Sequence, residues 1–228
     1  MHARDIMTSP VVTALPDSPV LEIVQLMLDK HISALPIVAP DGTLVGLVSE
    51  GDLIRRSELS ARDYSSWWLS AIGGKIVLAE EFVKSHGMRA ADVMTRDVVT
   101  VCDDTPVGKI AEILEKNKIK RVPVMADGKI VGIVSRANLL QALAANHEML
   151  QKTPSVDDRA LRERVVGVLE GEEWSDLPHL NVVVQDGVVH FWGRVHCEQV
   201  RQALKVAAEG VAGVKGIVDH THKTMSII

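Results

Sequence analysis

Cysteine is scarce: two in 228 residues. Cys102 and Cys197 lie in different segments, so no disulfide framework is expected, and free thiols suit a reducing compartment. Aromatic residues make up only 3%, with one tyrosine and two phenylalanines. Basic charge is not in excess: residues 1–150 hold 16 basic against 19 acidic side chains and the remainder 9 against 11, so no segment offers the basic face of a nucleic-acid binder. No apolar run approaches the roughly 20 residues needed to span a bilayer. The start Met1-His2-Ala3-Arg4-Asp5 lacks the basic-then-apolar pattern of a secretion signal, so a cytoplasmic location is expected. The nine histidines fall in no H-E-x-x-H, Cys-x-x-Cys or nucleophile-elbow context, so no catalytic residue is assigned and a non-enzyme is expected. At 46% hydrophobic and 24% charged, the chain has the composition of a globular protein.

What the chain does have is a duplication. Arg4-Asp5-Ile6-Met7-Thr8 returns as Ala91-Asp92-Val93-Met94-Thr95, and Ala34-Leu35-Pro36-Ile37-Val38 as Arg121-Val122-Pro123-Val124-Met125, at an offset of 87. The offset is 86 by Asp41-Gly42 and Asp127-Gly128, and stays so through Gly46-Leu47-Val48-Ser49 and Gly132-Ile133-Val134-Ser135. Each copy reads as an extended apolar start, an amphipathic helix after Ser18-Pro19 or Thr105-Pro106, a strand, an Asp-Gly turn, a second strand and a second helix. In the first helix of copy one the apolar positions are Val20, Ile23, Val24, Met27 and Leu28; in copy two they are Val107, Ile110, Ala111 and Leu114. This β-α-β-β-α order, written twice, predicts two similar lobes about a pseudo-two-fold axis, with clefts at their junction. Cys102 falls where copy one has Leu15 and reads as a small buried hydrophobe.

The lobes are expected over 1–55 and 89–147, separated by a helical insertion over 56–88 that carries Tyr64, Trp67, Trp68, a Gly73-Gly74 break and a helix from Ile76 to Lys84. Its aromatics serve either as packing or as a docking surface. A polar linker over 148–156 precedes a third domain, 157–228. There an amphipathic helix places Leu161, Val165, Val168 and Leu169 on one side, Leu180 to Val184 alternates toward an Asp186-Gly187 turn, and Val188–Val195, His196–Glu209 and Val214–Thr221 read as strand, helix and strand. The result is a small α-β-β-α-β sandwich, and the whole chain is of mixed α/β (α+β) class.

The duplicated part resembles a tandem pair of CBS domains, a Bateman module, on its Asp-(Ile/Val)-Met-Thr starts, its Leu-Pro-Ile-Val and Val-Pro-Val-Met strands, and Gly46 to Asp52 with Gly132 to Asn138. The carboxy-terminal part resembles a BON domain on Leu180–Val184, Asp186 to Val195 and Gly210 to Val218. In CBS domains the segment Gly-apolar-apolar-Ser/Thr-x-x-Asp handles the ribose and phosphate of an adenine nucleotide. Here Ser49 ends a strand before a helix, where hydroxyl and N–H groups can meet a phosphate, and Asp52 can accept from vicinal ribose hydroxyls. The same Ser-x-x-Asp is also an ordinary helix-capping arrangement.

The resemblance implies composite clefts. A first site is expected to combine Ser49 and Asp52 with Val98, Val99, Ile119, Lys120 and Arg121; a second, Ser135, Arg136 and Asn138 with Val11, Val12, Ile32, Ser33 and Ala34. The second departs from the pattern, because Asn138 stands in the acid's place and neither Ser33 nor Ala34 is basic. His220 and His222 can share a strand face with His190, as a metal site or as plain strand residues, and the second is the simpler account. Trp192 on the same face is either an exposed contact residue or covered by the CBS pair.

The function expected is a regulatory protein that senses a nucleotide of the AMP, ADP or ATP class and passes its state to a partner through the BON-like domain. It needs no cofactor beyond that ligand and is a homodimer through the CBS module. The alternative is a membrane-surface or structural adaptor led by the BON-like domain, with the CBS pair as an oligomerising scaffold.

Overall fold

The computed structural model describes residues 1–54, 82–145 and 155–223. Tyr64, Trp67, Trp68, Gly73-Gly74 and most of the helix expected from Ile76 lie outside the described residues, as does the linker up to residue 154. In chain order the elements are α1 (Ala3–Ile6), α2 (Val20–Asp29), β1 (Ala34–Val38), β2 (Leu44–Ser49), α3 (Glu50–Ile54), α4 (Ala90–Val93), β3 (Val101–Cys102), α5 (Val107–Lys116), β4 (Arg121–Ala126), β5 (Lys129–Ser135), α6 (Arg136–Ala145), α7 (Val156–Glu170), β6 (Leu180–Gln185), β7 (Val188–Val195), α8 (Glu198–Glu209) and β8 (Gly216–Lys223).

The chain divides into two compact units, one holding Val12–Val98 and the other Met1–Val11 with Val99–Ile228. The repeated Asp-(Ile/Val)-Met-Thr segments are thereby exchanged: α1 belongs with copy two and α4 with copy one. A glycine in each copy explains how the segment seats. A Cβ on Gly46 would lie 2.3 Å from Met94 Sδ, and one on Gly132 would lie 2.3 Å from Met7 Sδ, so each Val-Gly step leaves room for one methionine. Backbone pairing of Leu47 with Thr95 and of Thr8 with Ile133 fixes the register.

In the unit of copy one, α2 starts after Pro19 and buries Val20, Ile23 and Met27 against Leu35, Ile37 and Val48. Leu28, expected on that face, is 63% exposed, because it lies one step round the helix from Met27. Copy two repeats the plan with Ile110 and Leu114 against Val122, Val124 and Val134, while its expected Ala111 is exposed. Both hairpins carry a bulge at the same place, Ile37/Val38 and Val124/Met125. Copy two pairs β3 parallel to β4, whereas copy one keeps only a single parallel bridge, Ala14 to Ile37. Cys102 is a correction: it is exposed, since Val101 takes the inward place on this short strand and the next residue must face out.

The carboxy-terminal domain is the expected α-β-β-α-β sandwich, with β6 antiparallel and β8 parallel to the central β7. Leu161, Val165 and Leu169 of α7 and Leu204 of α8 cover Val182, Val184, Val189 and Phe191. Val168 is 43% exposed, outside the stripe assigned to it. Ser155 and Asp158 cap α7 reciprocally, and Asp158 also accepts from Gly187 N–H at 2.8 Å, tying the β6–β7 turn to the helix start.

β6 does not alternate between core and solvent; all six of its residues are buried. The face with Leu180, Val182 and Val184 meets its own helices, and the opposite face sets Val183 in the core of copy two with Met1, Ala3, Ile6, Val134 and Ala142. Trp192 packs on that same core.

Candidate functional site

In copy one, β2 ends at Ser49 and α3 begins at once, so the helix start faces the strand end. The Ser49 N–H and Oγ–H both donate to Asp52 Oδ2, at 2.9 and 2.7 Å. The other carboxylate oxygen, Oδ1, takes a long contact of 3.4 Å from Thr95 Oγ1. One oxygen is thus locked and the second is held in a fixed direction with acceptor capacity to spare. The strand start lies alongside: Ala34 pairs with Ser49, and Ser33 O accepts from Glu50 N–H. Ile32 and Val12 are half-buried on the copy-one core.

Copy two builds the same corner with an amide. Ser135 N–H and Oγ–H donate to Asn138 Oδ1 at 2.8 and 2.6 Å. Its Nδ2 donates to Ile6 O at 3.1 Å and to Thr8 Oγ1 at 3.2 Å, which a carboxylate cannot do. Asn138 is 4% exposed, whereas Asp52 is half-buried. Arg121 pairs with Ser135, and Lys120 O accepts from Arg136 N–H.

Of the expected site residues, Val12, Ile32, Ser33, Ala34, Ser49, Asp52 and Val98 fall in the unit of copy one, and Val11, Val99, Ile119, Lys120, Arg121, Ser135, Arg136 and Asn138 in that of copy two. Within each unit the Ser-x-x-Asp or Ser-x-x-Asn corner meets the strand start of its own copy. Thr95 and Thr8, which contact Asp52 and Asn138, were legible only as the last residue of the repeated Asp-(Ile/Val)-Met-Thr segment.

Three further residues had no sequence signal as a group. Asp5, 3% exposed, receives Arg159 Nε at 2.8 Å, and Arg162 Nη2 and Nε donate to Met7 O and Val182 O at 2.7 and 2.8 Å. Burial pulls the Arg162 guanidinium below its usual range, opposed by the charges of Asp5 and Glu163. Asn181 Nδ2 adds a bond to Gln141 at 2.7 Å. These contacts join the third domain to copy two.

On the same sheet face the Trp192 and His220 rings stack at 3.7 Å, and His190 Nδ1 lies 3.3 Å from His220 Nε2. Burial, and secondarily the neighbouring His220, hold the His190 imidazole below its ordinary value. Of the two readings of Trp192, the covered one holds. Among the described residues no group of three or more metal-ligating side chains occurs, and no helix is long and apolar enough to cross a membrane.

Two α+β lobes, each with a Ser-x-x-(Asp/Asn) corner, followed by a small α-β-β-α-β sandwich, define a duplicated α+β protein with an appended domain. The family comparison agrees: CBS domains match residues 3–58 and 90–145, and a BON domain matches 157–222. The chain belongs to the CBS-domain proteins and carries a BON domain at its carboxy-terminal side.

Uncharacterized protein MJ1426 of Methanocaldococcus jannaschii is 33% identical over 63% of this chain and 91% of its own length. The chloroplastic CBS domain-containing protein CBSX2 of Arabidopsis thaliana is 31% identical over 56% of each chain, so the chain spans little more than half of that relative. A crystal structure of CBSX2 in complex with AMP superposes with a TM-score of 0.55 at 31% identity, covering 63% of this chain and 97% of that one.

Proposed function

We propose that the protein is a non-catalytic regulator that binds an adenine nucleotide at the Asp52 corner of copy one and passes its occupancy to the BON domain. The observation that carries the reading is the state of the Asp52 carboxylate: Oδ2 is fixed by two bonds from Ser49, and Oδ1 has one weak contact at 3.4 Å. A fixed carboxylate edge suits two vicinal ribose hydroxyls, since both are donors and charge-assisted bonds are the strong kind. The AMP complex of CBSX2 supports the ligand class.

Transmission through the BON domain is supported by its bonds to copy two through Arg159 and Arg162. Only a ligand with different affinity for two arrangements of the chain can shift it. A homodimer through the CBS module completes the reading; the exposed Leu140 and Leu143 on α6 and Leu21 and Leu28 on α2 supply the apolar surface for it.

The test is calorimetry with AMP, ADP, ATP, NAD and S-adenosylmethionine on the full chain. Binding of at least one, lost in Asp52→Ala, is expected. No binding by any of the five, or equal binding by the variant, overturns the nucleotide reading.

A further inference from the structure

The two corners differ in what their side chains have left to offer. An amide oxygen accepts two bonds and an amide NH2 donates two. Asn138 already makes all four, to Ser135 N, Ser135 Oγ, Ile6 O and Thr8 Oγ1. Nothing remains for a ribose diol.

The segment it grips is held from the other side by the BON domain. Asp5, Met7 and the strand residue Val182 are bridged by Arg159 and Arg162, two arginines one turn apart on α7. Arg162 is 9% exposed, and both of its bonds described here go to main-chain carbonyls, one in α1's segment and one in β6. A buried guanidinium is costly unless its acceptors stay in place, so this residue demands that Met7 and Val182 keep their spacing. Copy one shows what is added: Asp92, the counterpart of Asp5, accepts from the N–H groups of Met88 and Arg89 in its own chain segment, as Asp5 does from His2 N–H at 2.8 Å, but Asp5 takes Arg159 Nε as well.

We propose that the Ser135–Asn138 corner is a docking joint for the BON domain, with Asn138 as the positioning residue, and that nucleotide binds to copy one alone, one per chain. Asn138 fixes Ile6 and Thr8, they fix Met7 and Asp5, and these seat Arg162 and Arg159. An aspartate at 138 would keep the two bonds from Ser135 but would turn a lone pair toward the Ile6 carbonyl. The segment would lose its anchor on the copy-two side. Only the stoichiometry rests on the nucleotide reading; the joint does not.

Hydrogen exchange on the full chain without nucleotide tests the joint. In Asn138→Asp, exchange is expected to rise about tenfold in residues 3–8 and 180–195 while residues 20–54 are unchanged, and Asp52→Asn is expected to leave all three as in the wild type. Arg162→Met supplies a second variant, expected to loosen the same two segments should Asn138→Asp fail to accumulate. Unchanged exchange in both segments, or a rise in 3–8 alone, overturns the joint. Calorimetry with AMP tests the stoichiometry: one site, kept in Asn138→Ser and lost in Asp52→Ala, is expected, and two sites of which one disappears in Asn138→Ser overturns it. Absence of any AMP binding rejects the one-nucleotide clause together with the nucleotide reading, and the exchange result then decides the joint by itself.

Discussion

Asn138 Nδ2 donates to the carbonyl of Ile6 at 3.1 Å, a bond that Asp52 cannot make to Val93, the counterpart of Ile6 in copy one. Two corners built on one backbone plan therefore part ways at a single atom, nitrogen in one and oxygen in the other. The oxygen leaves a charged acceptor edge beside Thr95.

Asp52→Asn is the sharpest probe of that edge. Replacing one carboxylate oxygen by an NH2 keeps the volume and the bonds from Ser49 but removes the charge, and a hydrogen bond to a charged group contributes about 1.5–3 kcal/mol. Nucleotide affinity should fall by roughly 10- to 100-fold with little change in melting temperature. Calorimetry and thermal melting, run side by side, separate the two effects.

Asp5→Ala should destabilise the unit that contains copy two and the BON domain. It leaves Arg159 without the carboxylate 2.8 Å away. Losing one partner of a buried ion pair costs about 3–5 kcal/mol, and the partly exposed Arg159 brings the expected value to the lower end. Denaturant titration is expected to show a lower midpoint; a change under 1 kcal/mol, about what a surface pair is worth, counts against the bond.

The pH dependence follows from His190. Its imidazole is held below the ordinary value of 6.5, first by burial and then by His220. In the window between 6.5 and the lower folded value the unfolded chain binds more protons, so stability is full above 6.5 and falls as pH drops through it. Melting temperature should decline on acidification below that point, and His190→Asn should flatten the decline. Identical profiles for wild type and variant would exclude this histidine as the source.

Glycine replacements grade the packing. In Gly193→Ala the new methyl would stand 2.0 Å from the His179 carbonyl oxygen, at a φ of +127°. Neither the backbone oxygen nor the dihedral can yield. In Gly46→Ala the clash is with Met94 Sδ at 2.3 Å, on a side chain with three rotatable bonds. Overpacking typically costs about 1–3 kcal/mol, so Gly46→Ala should unfold at a moderately lower denaturant concentration and Gly193→Ala at a much lower one. Met94→Ala should partly restore Gly46→Ala and do nothing for Gly193→Ala.

Much of this was readable from the chain. The duplication, the Asp-Gly turns, the helices after Pro19 and Pro106 and the α-β-β-α-β order all rest on local patterns, which backbone sterics enforce wherever they occur. The unequal chemistry of Asp52 and Asn138 was legible from position alone. What could not be read was tertiary. The exchange of α1 and α4 between copies joins residues 132 positions apart at Asn138 and Ile6 and 43 apart at Thr95 and Asp52, and the grip of Arg159 and Arg162 on the amino terminus joins residues 154 and 155 apart. Cys102 and Val168 were misplaced because a pattern gives the period of a strand or helix but fixes its phase only to within one residue.

β6, covered on both faces, bears on how such a chain can be cut and recombined. By sequence the chain is two CBS domains and a BON domain in series, and a fragment ending at residue 150 would contain the complete pair. Yet the wall of Met1, Ala3, Ile6, Val134 and Ala142 that receives Val183 would then be bare. The boundary between the second and third domains is therefore a boundary of sequence pattern and not of packing, since a β6 side chain of the third completes the interior of the second.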